Sequence, residues 1–207
     1  MPTPGRVWYN LQKKSRKRRD MKRLSNVVGF DDAPFSRDHA GPVAVVGAVY
    51  AGPRLDGVLM GEIQKDGTDA ADVLATLITE SRFSDHIRLI LLQGIALGGF
   101  NVVDVFSLHQ HTGLPVLVVS RVRPDMGAIK KALLSLIPEG KKKWAVIERL
   151  GPMEAVANVF VQRVDISMEQ ARQVIQRFAV HSRIPEPIRA AHLIAGAMAN
   201  GQSRGCP

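Results

Sequence analysis

The segment Gly29-Phe30-Asp31-Asp32-Ala33-Pro34-Phe35 puts two adjacent carboxylates at the exit of an apolar, strand-forming run. Carboxylates at a strand end are the usual means of holding Mg²⁺ against a phosphate, because a hard cation prefers charged oxygen ligands. A strongly basic stretch lies just upstream, and cations beside such a site point to the phosphate of a nucleic acid. The competing reading of the same residues is a turn, with Pro34 fixing its bend. Alternation along a strand sends neighbouring side chains to opposite faces, so at most one of the two aspartates is expected to be a metal ligand.

The formal charge of +9 is unevenly placed. Residues 1–23 carry nine Lys or Arg against the single acid Asp20, whereas the rest of the chain is close to neutral. Residues 1–23 therefore read as a basic arm and residues 24–207 as one domain, since a chain of 207 residues with 45% hydrophobic content can bury a sizeable core. Lys13, Lys14, Arg16, Lys17, Arg18, Arg19, Lys22 and Arg23 are the candidate contacts to a nucleic-acid backbone. Affinity of that kind falls steeply with salt and carries little sequence information. A solubilising tail is the alternative. Cys206 is the only cysteine, so neither a disulfide framework nor a thiolate metal site forms within one chain. No apolar run approaches the roughly 20 residues that cross a bilayer. A soluble, cytoplasmic protein is expected.

The elements that must position these residues follow from periodicity. Ser25–Phe30, Val43–Ala51 and Val58–Gln64 read as three strands in an antiparallel meander, with Gly52–Gly57 supplying turn chemistry. Asp66 to Asp69 carries helix-start signals, and Leu74, Leu77 and Ile78 recur at helical spacing, so Ala70–Arg82 reads as an amphipathic helix. His86–Gln93 reads as a buried strand, Gly94–Gly99 as a glycine-rich loop, Asn101–Gln110 as a helix and Pro115–Arg121 as a further strand. Ala128–Leu136 reads as a helix, while Trp144–Leu150 and Val156–Val164 read as strands. Ser167–Ala179 is helical, with Ser167 as N-cap, and Ile188–Ala199 forms a last helix after Pro185-Glu186-Pro187. Three strands followed by α-β-α-β require a mixed sheet of about five or more strands, first antiparallel and then parallel, flanked by helices. That is the ribonuclease-H-like α/β architecture, whose site lies at the carboxyl ends of adjacent strands.

Together, GFDDAPF, DGTDAADVL, SRFSDHIRLILLQGIALGGFNVVD, TGLPVLVVSR and RIPEPIRAAHLIAGA resemble an uncharacterised archaeal family, domain of unknown function ninety-nine, related to endonuclease V. The resemblance covers residues 24–205. It implies a Mg²⁺- or Mn²⁺-dependent nuclease with a ribonuclease-H-like fold, cutting DNA or RNA near deaminated purines such as inosine, in DNA repair. Carried over by position, the first-strand metal aspartate falls on Asp31. The metal carboxylate before the first helix falls on Asp69, with Asp66 and then Glu62 as alternatives. The basic catalytic residue falls on Arg121 and the C-terminal acid or histidine on His192.

Two departures stand out. A third metal aspartate of endonuclease V is replaced by Gln93, whose amide offers an oxygen but no charge. The turn at Arg54–Gly57 lacks the aromatic and proline of the strand-separating wedge. Three readings therefore remain open. They are a metal-dependent endonuclease, a nucleic-acid-binding module that has lost cleavage, and a regulator binding a small molecule or protein on the same scaffold. His109 and His111 are expected on a helix surface, Gly94–Gly99 as a structural loop or phosphate cradle, and Lys141–Lys143 as a solvated turn. Glu186 is expected to pair with Arg183 or Arg189.

Overall fold

A central strand buried on both faces organises the molecule. A computed structural model describes residues 24–203, so the arm residues and Cys206 lie outside the described part. Strand β1 (Asn26–Asp32) has Val27, Val28 and Phe30 fully buried. Its β-branched and aromatic side chains fill both faces of a pleated ribbon. It pairs antiparallel with β2 (Pro42–Ala51), which pairs antiparallel with β3 (Arg54–Gln64). On its other edge it pairs parallel with β4 (Leu89–Gln93), which pairs parallel with β7 (Val116–Ser120). Between β4 and β7 lie a small ribbon, β5 (Ala96–Leu97) and β6 (Asn101–Val102), and helix α2 (Val105–Thr112). Helix α1 (Ala70–Thr79) joins β3 to β4.

The expected meander and parallel crossovers are thus present, and the sheet extends to seven strands in the order β3-β2-β1-β4-β7-β9-β8. The added strands are β8 (Glu154–Val156) and β9 (Val159–Val164), both antiparallel. Their two-residue turn, Ala157-Asn158, has both residues at positive φ, the geometry that matches strand twist in a tight hairpin. The expected single strand Val156–Val164 is therefore a hairpin. Helices α1 and α2 cover one face of the sheet. Helices α5 (Met168–Phe178) and α6 (Glu186–Asn200) cover the other. Helices α3 (Met126–Leu136) and α4 (Gly140–Leu150) form a hairpin with its own small core against β6.

Several boundaries depart from expectation for local reasons. Trp144–Leu150 is helical, not a strand. Its aromatic and β-branched content mimics a strand, yet Gly140, Lys143 and Ile147 are buried at helical spacing. The helix expected at Asn101 begins only at Val105, because the Asp104 carboxylate accepts the N–H groups of Phe106 and Ser107. Arg54–Gly57 belongs to β3, and the turn tightens to Gly52-Pro53. Ser167 caps α5 in a reciprocal capping box with Gln170, as its sequence requires. No helix among the described residues is long and apolar enough to cross a membrane.

Helix α6 packs onto β1 at Gly29. A Cβ there would penetrate the backbone of Pro187 and Ile188. Gly29→Ala should destabilise the fold by about 2 kcal/mol, the usual scale of overpacking. A lowered midpoint in urea unfolding checks this; an unchanged midpoint would mean that the helix can move away without penalty.

Candidate active site

The carboxyl ends of β1, β4 and β7 meet at one edge of the sheet, where open α/β sheets bind ligands. Asp31 and Asp32 end β1, Gln93 ends β4, and Arg121 follows the last residue of β7. Asp31 shares the face of Val27 and Gly29, which is covered by α6. From Ile188 to His192 the helix rises about 6 Å. From Gly29 to Asp31 the strand advances about 6.6 Å. The two steps match, so contact at Gly29 carries His192 to Asp31.

There the His192 Nδ1–H donates to Asp31 Oδ2 at 2.8 Å. The other Asp31 oxygen accepts the N–H of Asp32 at 3.0 Å. Asp31 is 5% exposed. The hydrogen bond to Asp31 raises the His192 pKa above the ordinary imidazole value; burial opposes it. The charges of Asp31 and Asp32 reinforce the rise, while Arg121 lowers it, which places that guanidinium within electrostatic range of the ring. With Nδ1 donating, Nε2 is the acceptor whenever the imidazole is neutral.

Asp32, whose position reads as a turn from sequence, alternates onto the opposite face. At the strand end its carboxylate nevertheless lies close enough to that of Asp31 for the two to interact directly. It remains in the strand because pairing with β2 continues to Asp32 opposite Val45. Its Oδ2 accepts the Gly98 N–H at 2.9 Å. Burial, then the neighbouring Asp31 charge, push its pKa up to about 6. Gln93 lies on the Asp31 side of the sheet, one step beyond the last β1–β4 pair. Its Oε1 is buried without a hydrogen-bond partner. An acceptor in that condition is costly, and a cation or water would satisfy it.

The other expected ligands accept hydrogen bonds from protein donors or stand exposed. Asp69 receives Asn101 Nδ2–H at 2.6 Å and the Gln64 N–H. Asn101, fully buried, also donates to the Gln64 carbonyl and accepts the Ala70 N–H, so it caps α1 from 31 residues away. Asp66 Oδ1 accepts the Phe100 N–H at 2.7 Å. Glu62 is exposed on β3. Among the described residues, no three His, Cys, Asp or Glu side chains stand close enough to hold a metal. His109 bonds the Leu114 carbonyl and His111 lies 3.8 Å from Asp72, both at helix ends or surfaces. Glu186 pairs with Arg189 at 2.8 Å. The glycine-rich segment is a β-ribbon and not a helix start. Sequence reasoning missed the inward course of Asp32, the Asn101 cap and the burial of Lys143. Only the strand pattern running on through Asp32 carried a local signal.

Asp32 and His192 make stability pH-dependent with the same sign. The native state holds the Asp32 proton to about pH 6, whereas the unfolded chain releases it near the ordinary carboxylate value of 3.8. The stabilisation is fully present below that lower value and is lost as pH rises through about 6. The His192 contribution is present below the unfolded value of 6.5 and is lost above it, as pH passes the raised native value. With chelator present, Asp32→Asn should exceed wild type in stability at neutral pH by roughly 1–3 kcal/mol. The advantage should vanish in acid, as urea titrations across pH would record.

Residues 23–199 match the family described as endonuclease dU. The UPF0215 protein of Deinococcus radiodurans is 49% identical over 183 residues, covering 88% of this chain and 93% of that one. Its counterpart in Methanothermobacter thermautotrophicus is 40% identical over 191 residues, covering 90% and 94%. Relatives therefore occur in bacteria as well as archaea, and the expected archaeal restriction does not hold. A protein of unknown function from Archaeoglobus fulgidus has a similar structure, with a TM-score of 0.77 and 32% identity over 84% of this chain and 97% of that one. Human endonuclease V superposes with a TM-score of 0.53 at 15% identity, over 83% of each chain. Ciona intestinalis endonuclease V, solved with inosine-containing DNA, gives 0.52 at 12% identity, over 92% and 95%. At these identities the likeness is one of fold, and that fold is ribonuclease-H-like. From the family match and the nearly full-length relatives, the chain belongs to the endonuclease dU family.

Proposed function

We propose that the protein is a divalent-metal-dependent endonuclease that hydrolyses a phosphodiester bond in DNA carrying a deaminated base, with deoxyuridine suggested by the family's name. The observation that carries the proposal is the Asp31–His192 pair at the strand ends, beside Asp32 and the unpartnered Gln93 oxygen. Two carboxylates and one amide oxygen fit a single hard cation better than a pair, because Gln93 adds no charge. Asp31, Asp32 and Gln93 would hold Mg²⁺ or Mn²⁺, which supplies positive charge to the phosphoryl oxygens. Asp31 fixes the imidazole so that His192 Nε2 can take a proton from water. As the water oxygen bonds to phosphorus, the P–O bond to the leaving strand breaks and its electron pair stays on the leaving oxygen. That oxygen takes a proton from solvent. Arg121 offsets the charge that grows on the phosphate. Asp69 and Asp66, held by Asn101 and Phe100, stay outside this set.

A second reading, a nucleic-acid-binding module without cleavage, is favoured by Gln93 itself, because a neutral amide stands where endonuclease V is expected to place a charged ligand. Cleavage of deoxyuridine-, inosine- and normal-base substrates, as duplex, single strand and RNA, separates the two. Under the endonuclease reading, wild type cuts with Mg²⁺ or Mn²⁺, and Asp31→Ala loses about 100-fold or more in kcat. Activity gained only in Gln93→Asp would establish the binding-module reading instead. Cutting that persists in Asp31→Ala would remove Asp31 from the site.

The basic stretch enters the same proposal as a non-specific backbone contact. Removing residues 1–23 should weaken DNA binding and flatten its salt dependence by several counterions. Equal salt slopes in anisotropy titrations would leave the arm without a DNA role.

A further inference from the structure

Lys143 is a buried cation outside the reaction just described. It was expected in a solvated turn, yet it sits on the inner face of α4 and is 3% exposed. Its Nζ donates to the Asp66 carbonyl at 2.6 Å. A buried ammonium is expensive, and an apolar side chain of similar length would fill the space at lower cost to stability. What it holds is therefore informative. Asp66 adopts a left-handed conformation, φ +54, where the chain leaves β3. Its N–H donates to the Gly98 carbonyl at 2.9 Å, and its carboxylate accepts the Phe100 N–H at 2.7 Å. Gly98, itself at φ +55, donates its N–H to Asp32 Oδ2 at 2.9 Å. One continuous series of hydrogen bonds thus runs Lys143–Asp66–Gly98–Asp32.

The hairpin that supplies Lys143 is anchored to the same ribbon. Leu133 of α3 and Ile147 of α4 pack with Val102 of β6, against Ile95 and Phe100. The ribbon is therefore gripped by an apolar contact on one side and by Asp66 on the other. Gly98 is the point where that grip reaches the Asp32 carboxylate.

We propose that Lys143 is a positioning residue for the site, clamping Asp66 so that Gly98 holds the Asp32 carboxylate in one orientation. The structural coupling stands on the bonds above. Its consequence for catalysis rests on the endonuclease reading, and the test keeps the two apart. Lys143→Met removes the donor and keeps the length of the side chain. Amide hydrogen exchange in the full chain should accelerate about tenfold at Gly98 and Phe100, with Leu91 and Val118 in the sheet unchanged. Mn²⁺ affinity, measured by calorimetry, should fall about tenfold. In an Asp32→Ala background the same substitution should cause no further loss, because the clamp acts through that carboxylate. In cleavage assays kcat should fall while KM for DNA holds.

Unchanged exchange at Gly98, or acceleration spread evenly over the sheet, would overturn the proposal. So would an equal loss of Mn²⁺ affinity in both backgrounds. Should Lys143→Met fail to fold, Lys143→Arg keeps a donor with altered reach and is read by the same local exchange. A wild-type protein that cuts no substrate would overturn the endonuclease reading, and the exchange result would still decide the clamp.

Discussion

The approach of α6 to β1 is the constraint from which the candidate site follows. Two backbones come together at Gly29 with no room for a side chain between them. A helix seated that closely cannot slide along the strand, so its register is set by the contact itself. Pro187 lies in the first turn of the helix, where its missing N–H leaves no intrahelical bond unmade. Glu186 at the same end accepts from Arg189 and from the His181 N–H, which fixes the entry of the chain and suits the positive pole of the helix. With the start pinned, the position of His192 is a matter of helical rise. The Asp31–His192 bond joins residues 161 apart in sequence through this one packing contact.

The electrostatics of the strand end are deliberately unbalanced in the physical sense. Asp31 has an imidazole partner, while its half-buried neighbour Asp32 has only backbone N–H groups to stabilise its charge. Beside them an amide oxygen has no donor at all. Each of these unfavourable conditions is relieved by positive charge at the same edge. Under the proposed reading that edge would favour a cation, and the neutral Gln93 would limit how much charge it accepts.

Much of this was legible from sequence, and the remainder failed for identifiable reasons. The β1–β3 meander, the parallel crossovers and the Ser167 cap follow from alternation, turn residues and local hydrogen-bonding chemistry. Asp32 was misread because Asp-Asp-Ala-Pro has turn chemistry, whereas pairing with Val45 keeps it in the strand. Asp69 has the spacing of a helix-start ligand, and no local pattern announces that a buried Asn101 from a distant ribbon donates to its carboxylate. Trp144–Leu150 looked like a strand because short apolar runs carry no unique period. Lys143 stands in a run of three lysines, and nothing in that run distinguishes the one that turns inward. Asp31 and His192 were linked by family resemblance, since no local pattern spans their separation.

The two aspartates that end β1 answer to opposite layers of the molecule. Asp31 is set by the C-terminal helix, and Asp32 by the ribbon and hairpin on the other face. Neither layer alone can complete the strand end. A chain emerging during synthesis reaches Asp31 long before it has made His192, and so lacks the Asp31–His192 pair until its last helix docks. Release of either layer would leave one of the two carboxylates without the partner that sets it. A protein armed with phosphodiester chemistry would in this way be inert in every incomplete form, a safeguard built from topology alone.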